Sequence, residues 1–173
     1  MKRKIASLLC LLVAANALMA VDVKPTKNVI VMIPDGTSLS VLSASRWLKT
    51  YRNEGTTLNV DPYMSGTVTT FSSNAPIGDS APTTSCFMTG VPQQAGNVSI
   101  YPVSDPANDL VKLNPDSAYQ PLVTILEAMQ REQAKSAGLV VTCEFPHATP
   151  ADCAAHTYNR SDYKVIAPQM AYN

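Results

Sequence analysis

Asp79-Ser80-Ala81-Pro82 opens a stretch that runs to Gly90. Pro82 suits the first turn of a helix and Gly90 its end, which puts the Ser80 hydroxyl at a helix N-terminus. Unpaired N–H groups and the positive end of the helix dipole favour an anion there, phosphate included. The hydroxyl itself is a weak nucleophile until a base or a metal lowers its pKa. A plain helix cap is the competing reading, since Ser and Asp are favoured caps. Asp35, in Pro34-Asp35-Gly36-Thr37, offers a carboxylate of the kind that binds zinc or magnesium, or else a common turn residue. His147 and Thr149 could support a metal site, or His147 could cap a loop. Arg160 could grip an anion through two N–H bonds, or remain a solvated charge.

These positions need elements to hold them. Residues 27–33 form a short β-branched run that stops at Pro34-Asp35-Gly36, and its unbroken apolar character predicts a strand buried on both faces. Residues 66–71 and 137–142 read as second and third strands. Helices are expected over 40–51 with Ser38 as cap, over 80–90, from Pro121 with the stripe Leu122, Ile125, Leu126 and Met129, over 150–155, and over 162–171 with an interruption at Pro168. Residues 52–63 are polar and turn-rich, and residues 92–115 read as a surface excursion. The alternation predicts an α/β fold, a mostly parallel sheet flanked by helices. Ligands of such sheets sit beyond the carboxyl ends of the strands. Asp35, the pair Asp79 and Ser80, and residues 147–149 all follow expected strands.

Lys2, Arg3 and Lys4 precede the apolar run 5–19 and the small residues Ala15, Ala17 and Ala20. That layout predicts a secretory signal peptide over 1–20, leaving 21–173 as the mature part. No later apolar run approaches spanning length, so the product is expected to be exported, periplasmic or secreted, with no membrane contact after leader removal. The whole chain balances 13 basic against 13 acidic residues, and no global basic field argues for nucleic acid as a specific partner. The mature part keeps Cys86, Cys143 and Cys153, an odd number without CxxC spacing, so at least one thiol stays unpaired and a zinc finger is not expected. Cys86, beside Phe87 and Met88, is expected to act as a small buried hydrophobe.

Three segments in order carry a resemblance: Asn28-Val29-Ile30-Val31-Met32-Ile33-Pro34-Asp35-Gly36; Gly78-Asp79-Ser80-Ala81 with Thr89-Gly90; and His147-Ala148-Thr149-Pro150-Ala151 through Ala155-His156 to Arg160. From Lys27 onward the chain resembles the amino-terminal part of alkaline phosphatases. The resemblance implies a phosphomonoester hydrolase with two zincs and a magnesium. It implies that Ser80 is the nucleophile that becomes phosphorylated and lies on a metal. Asp35 then looks like a carboxylate shared by zinc and magnesium, and Thr149 like a magnesium ligand. Arg160 looks like the phosphoryl-gripping arginine, with Asp79 orienting it. His147 stands where family members carry Asp or His, so it is a further metal-ligand candidate, while His156 receives no catalytic role. Small-molecule phosphate monoesters are the implied substrates, and a homodimer is implied for the full-length relative.

Two zincs need roughly eight ligand places rich in His and Asp. The chain has two histidines, both in one motif. The family's other zinc ligands and a magnesium-binding glutamate come from a later part of the chain. The expectation is therefore an amino-terminal portion, inactive alone. Two other readings stay open: a related sulfatase or phosphodiesterase, and an exported non-enzymatic phosphate-binding fragment.

Overall fold

The computed structural model describes residues 26–172. The signal-peptide expectation over 1–20 lies outside them. The chain divides into two units at Ile33 and Pro34. In the first, residues 28–33 have no regular secondary structure. Val29, Ile30, Val31 and Met32 are all more than 60% exposed, which corrects the expected strand buried on both faces. Residues 66–71 and 137–141 are likewise irregular. Among the described residues the only β-pairings are single antiparallel bridges, Ser72 with Ala75, Val98 with Thr157 and Ile100 with Pro121. A parallel strand exists only when neighbours complete its ladder on the flanking edges. An apolar run supplies the faces of a strand but cannot supply those partners.

The second unit is built from helices whose ends are written in the sequence. Helix α1 (Leu39–Tyr51) starts at Ser38, whose hydroxyl accepts the Val41 N–H at 3.4 Å. Helix α2 (Ser80–Thr89) has Asp79 as its N-cap and Gly90 as its C-cap at φ 75°. That left-handed conformation suits glycine, and the Gly90 N–H closes the last turn on the Cys86 carbonyl at 2.9 Å. Helix α3 (Ile125–Gln133) begins four residues after the expected Pro121 because a capping box decides the start. Thr124 Oγ1 accepts the Glu127 N–H at 3.1 Å, and Glu127 Oε2 accepts the Thr124 N–H at 2.9 Å. Helix α4 (Ala148–Ala151) is a single turn, shorter than expected. Helix α5 (Tyr163–Tyr172) contains Pro168 without ending there.

The core is small: Val98, Ala151, Ala155 and Ile166, with Met170 packed against it. Val98 comes from the segment expected to lie on the surface, and that expectation is corrected. Gln93, Val98 and Ser99 are fully buried. Their polar groups are satisfied locally: Gln93 Oε1 accepts the Ile100 N–H at 3.1 Å, and Gln93 Nε2 donates to Thr89 Oγ1 at 3.2 Å. His156 ties the same segment to the helices. Its Nδ1 lies 2.7 Å from the Ser99 carbonyl, its Nε2 3.0 Å from Glu127 Oε1, and its N–H donates to Gln169 of α5 at 2.7 Å.

Cys86 is half-buried, Cys143 exposed and Cys153 buried, all as free thiols. Burial pushes the Cys86 thiol above its ordinary value, and burial with nearby Asp152 pushes Cys153 up to about 11. No helix among the described residues is long and apolar enough to cross a membrane.

Candidate functional site

Gly78 lets the chain enter helix α2. A Cβ there would stand 2.7 Å from the Thr83 methyl and 3.1 Å from the Phe71 backbone carbon, so only glycine fits without displacement. Asp79 follows and acts at two places. Its Oδ1 accepts the Ala81 N–H at 3.0 Å, and its Oδ2 lies 3.3 Å from Arg160 Nη1. Ser80 is the first helical residue rather than the cap. Its hydroxyl makes no hydrogen bond among the described residues. Pro82 brings no N–H to this helix end and Ala81's is taken by Asp79, so the Ser80 hydroxyl stands at the positive pole of the dipole uncommitted.

Arg160 reaches this end with its backbone pinned by a 2.8 Å bond from its N–H to the Gly96 carbonyl. Its Nη2 lies 3.1 Å from His147 Nε2. A guanidinium only donates, so His147 Nε2 accepts and the ring proton of the neutral imidazole belongs on Nδ1. Nδ1 is buried and has no partner. In this arrangement the Nε2 lone pair is directed at Arg160.

Asp35 and Thr149, 114 residues apart, meet directly: Thr149 Oγ1 donates to Asp35 Oδ2 at 2.9 Å. Asp35 sits in a turn closed by the Thr37 N–H on the Pro34 carbonyl at 3.1 Å, with Gly36 at φ 68°. The structure thus assembles two groups from the sequence-derived set, Asp79–Arg160–His147 beside Ser80, and Asp35–Thr149. His147 and Thr149 flank Ala148 at the start of α4, which packs against α2.

The donor chemistry divides by metal. Two adjacent hard oxygens from Asp35 and Thr149 fit part of the oxygen shell that magnesium takes. Among the described residues no group of three or more His, Cys, Asp or Glu side chains could hold a metal ion. A zinc pair therefore does not fit these residues alone.

Sequence reasoning overlooked Asp152 and Glu127, both buried to within 3% of completely. Each left a signal. Asp152 is a lone carboxylate in the small-residue stretch 148–155, and Glu127 stands three residues after Thr124, the capping-box spacing.

The family described as alkaline phosphatase matches residues 26–173. The tissue-nonspecific alkaline phosphatase of Mus musculus is 30% identical over 154 residues, 86% of this chain and 28% of that protein. Alkaline phosphatase 3 of Bacillus subtilis (strain 168) is 31% identical over 147 residues, 82% of this chain and 28% of that protein. The chain thus spans well under a third of the length of these curated relatives. Among solved structures, the cold-active alkaline phosphatase of Shewanella sp. aligns with a TM-score of 0.62 and 27% identity, covering 80% of this chain and 32% of that one. The enzyme of the Antarctic bacterium TAB5 aligns at 0.60 and 27% identity, covering 79% and 34%. A variant of it, with aspartate in place of a histidine, has Mg bound in its M3 site. Since the match takes in every described residue, the chain belongs to the alkaline phosphatase family.

Proposed function

We propose that this chain carries the nucleophile and the phosphoryl-gripping arginine of an exported phosphomonoester hydrolase. The observation that carries the reading is Asp79, which caps the helix that presents Ser80 and holds Arg160 at 3.3 Å. One residue thereby fixes both the attacking hydroxyl and the cation that would meet the phosphoryl oxygens. Ser80 Oγ would bond to phosphorus as the ester P–O bond breaks and the hydroxyl proton leaves with the alcohol; water would then break the bond from phosphorus to Ser80 Oγ, restoring the hydroxyl and releasing inorganic phosphate. Arg160 and the Ser80 N–H at the positive end of α2 would meet the non-bridging oxygens while their charge redistributes. Asp79 would keep the guanidinium aimed, since a bidentate donor is useful only at fixed orientation.

Asp35 and Thr149 would hold magnesium; His147, whose Nε2 lone pair is taken by Arg160, would join them only once that bond is broken. Bound there, the ion would supply positive charge that orients water and phosphate oxygens. The zinc pair needs donors beyond those described, so the 173 residues by themselves are expected to turn over little substrate. A homodimer and a periplasmic or secreted location are carried from the resemblance. Incubating the protein with an aryl phosphate monoester, zinc and magnesium, then mapping phosphate by mass spectrometry, tests the reading. Phosphate on the Ser80 peptide is expected. A preference for a diester or sulfate ester, or label on another residue, overturns it.

A further inference from the structure

We propose that Asp152 is a positioning residue of this site, a buried neutral acid that clamps helix α2 to the one-turn helix α4 through Ser85. The claim that it positions Arg160 rests on the functional reading above, whereas the neutrality of the carboxyl stands on geometry.

Asp152 is 0% exposed and immediately follows helix α4. Its Oδ1 accepts the Ser85 hydroxyl at 2.7 Å, and its Oδ2 is buried with no partner. Ser85 Oγ in turn accepts the Ser99 N–H at 2.8 Å, so its own proton is directed to Asp152. Ser99 Oγ closes the cycle by donating to the Asp152 backbone carbonyl at 2.6 Å. Three segments are joined by this cycle: α2 through Ser85, the buried loop through Ser99, and α4 through Asp152.

One short hydrogen bond from Ser85, with a lesser pull from the Ser99 backbone, is far too little for an ionised carboxylate out of water, which needs several donors or a paired cation. A carboxylic acid needs much less, and a proton on Oδ2 removes the charge. Burial raises the Asp152 pKa well above the carboxylate range; the Ser85 hydrogen bond and Arg160 oppose the shift, Asp79 reinforces it, and the Ser99 backbone opposes it. The charged groups acting on Asp152 are therefore Asp79, at the head of α2, and Arg160; Cys153 is the titratable neighbour along the chain. Ionised, Asp152 would be a second carboxylate competing with Asp79 for the same guanidinium. Neutral, it leaves Arg160 to Asp79 and keeps the helices joined.

The sign of the pH effect follows. A carboxyl whose folded pKa is raised contributes its stability fully below the ordinary carboxylate range and loses it as pH climbs through the raised value. NMR of the full chain with labelled Asp carboxyl carbons and Arg Nε tests the proposal, with Asp152→Asn and Asp152→Ala beside the parent. The Asp152 carboxyl is expected to be protonated at neutral pH, and the Arg160 Nε signal to move as that carboxyl ionises. In Asp152→Asn that movement should vanish. Its thermal midpoint should exceed the parent's by roughly 5 °C at alkaline pH and match it below about pH 4. Asp152→Ala should melt lower at every pH. An ionised carboxyl at neutral pH overturns the neutral clamp, and an Arg160 signal indifferent to the Asp152 transition overturns the positioning role. Both signals are read in the parent, so they decide even if a variant fails to fold. Neither requires turnover, so failure of the phosphatase reading would be seen separately.

Discussion

Helices α1 and α2 are both capped by a small polar side chain, yet they are held in opposite ways. The 13 residues of α1 include no buried side chain, and Trp47 is 76% exposed. Its support is peripheral: Arg46 pairs with Asp61, and Lys49 Nζ donates to the Thr57 carbonyl at 2.7 Å. The Arg46 hydrogen bond, followed by the Leu58 N–H, holds the Asp61 carboxyl below its usual range. The 10 residues of α2 bury Ala81, Pro82, Thr84, Ser85 and Met88. Local signals suffice to write α1, whereas α2 depends on what it touches. The candidate chemistry sits on the helix whose position is fixed by tertiary contacts, and that is where orientation has to be kept.

This contrast can be broken experimentally, beginning with the largest expected effect. Supplied with the zinc donors that the described residues lack, the protein should lose about 10³-fold or more of its phosphate-monoester turnover in Ser80→Ala while keeping its melting temperature. Steady-state rates and calorimetry check both, and a loss under tenfold would remove Ser80 from the chemistry. A second effect concerns the thiol next to Asp152. With its pKa raised from 9.0 to about 11, native Cys153 should alkylate roughly 100-fold more slowly than in the unfolded chain. Its neutral form stabilises the fold fully below the ordinary thiol pKa and less as pH rises through the raised one. Peptide mapping after timed alkylation reads this, and equal rates would show that the α2–α4 junction is open.

Ser85→Ala should destabilise by about 2–3 kcal/mol in urea titrations, because it strips the buried Asp152 carboxyl of its short hydroxyl donor. Trp47→Ala on α1 should stay within about 0.5 kcal/mol by the same measurement. If the two values were alike, the division between the helices would fail. A large Trp47 effect would mean that α1 packs more closely than its exposure indicates.

The sequence made the helix ends legible because caps are local. Ser38 and Gly90 each act on backbone groups a few residues away, while the cap of α2 falls at Asp79, one residue before the expected Ser80. Sheet pairing was not legible, because residues 27–33 specify strand faces but no neighbour. Residues 92–115 misled for another reason. Gln93 and Ser99 are buried through hydrogen bonds, which apolar periodicity does not register. In the site, Asp35 and Thr149 could be named from their motifs, but their 2.9 Å contact spans 114 residues and only folding brings it about. Asp152 was invisible as chemistry, since its role depends on a serine 67 residues away.

Arg160 is tethered at three points, by Gly96 at its backbone and by Asp79 and His147 at its two terminal nitrogens. A free arginine side chain samples many rotamers, worth about 2 kcal/mol of entropy when frozen. Here most of that freedom is surrendered while the chain folds, before any anion arrives. An incoming phosphate would meet a stationary fork, and the heat and entropy of its capture should reflect displaced water more than a side chain coming to rest.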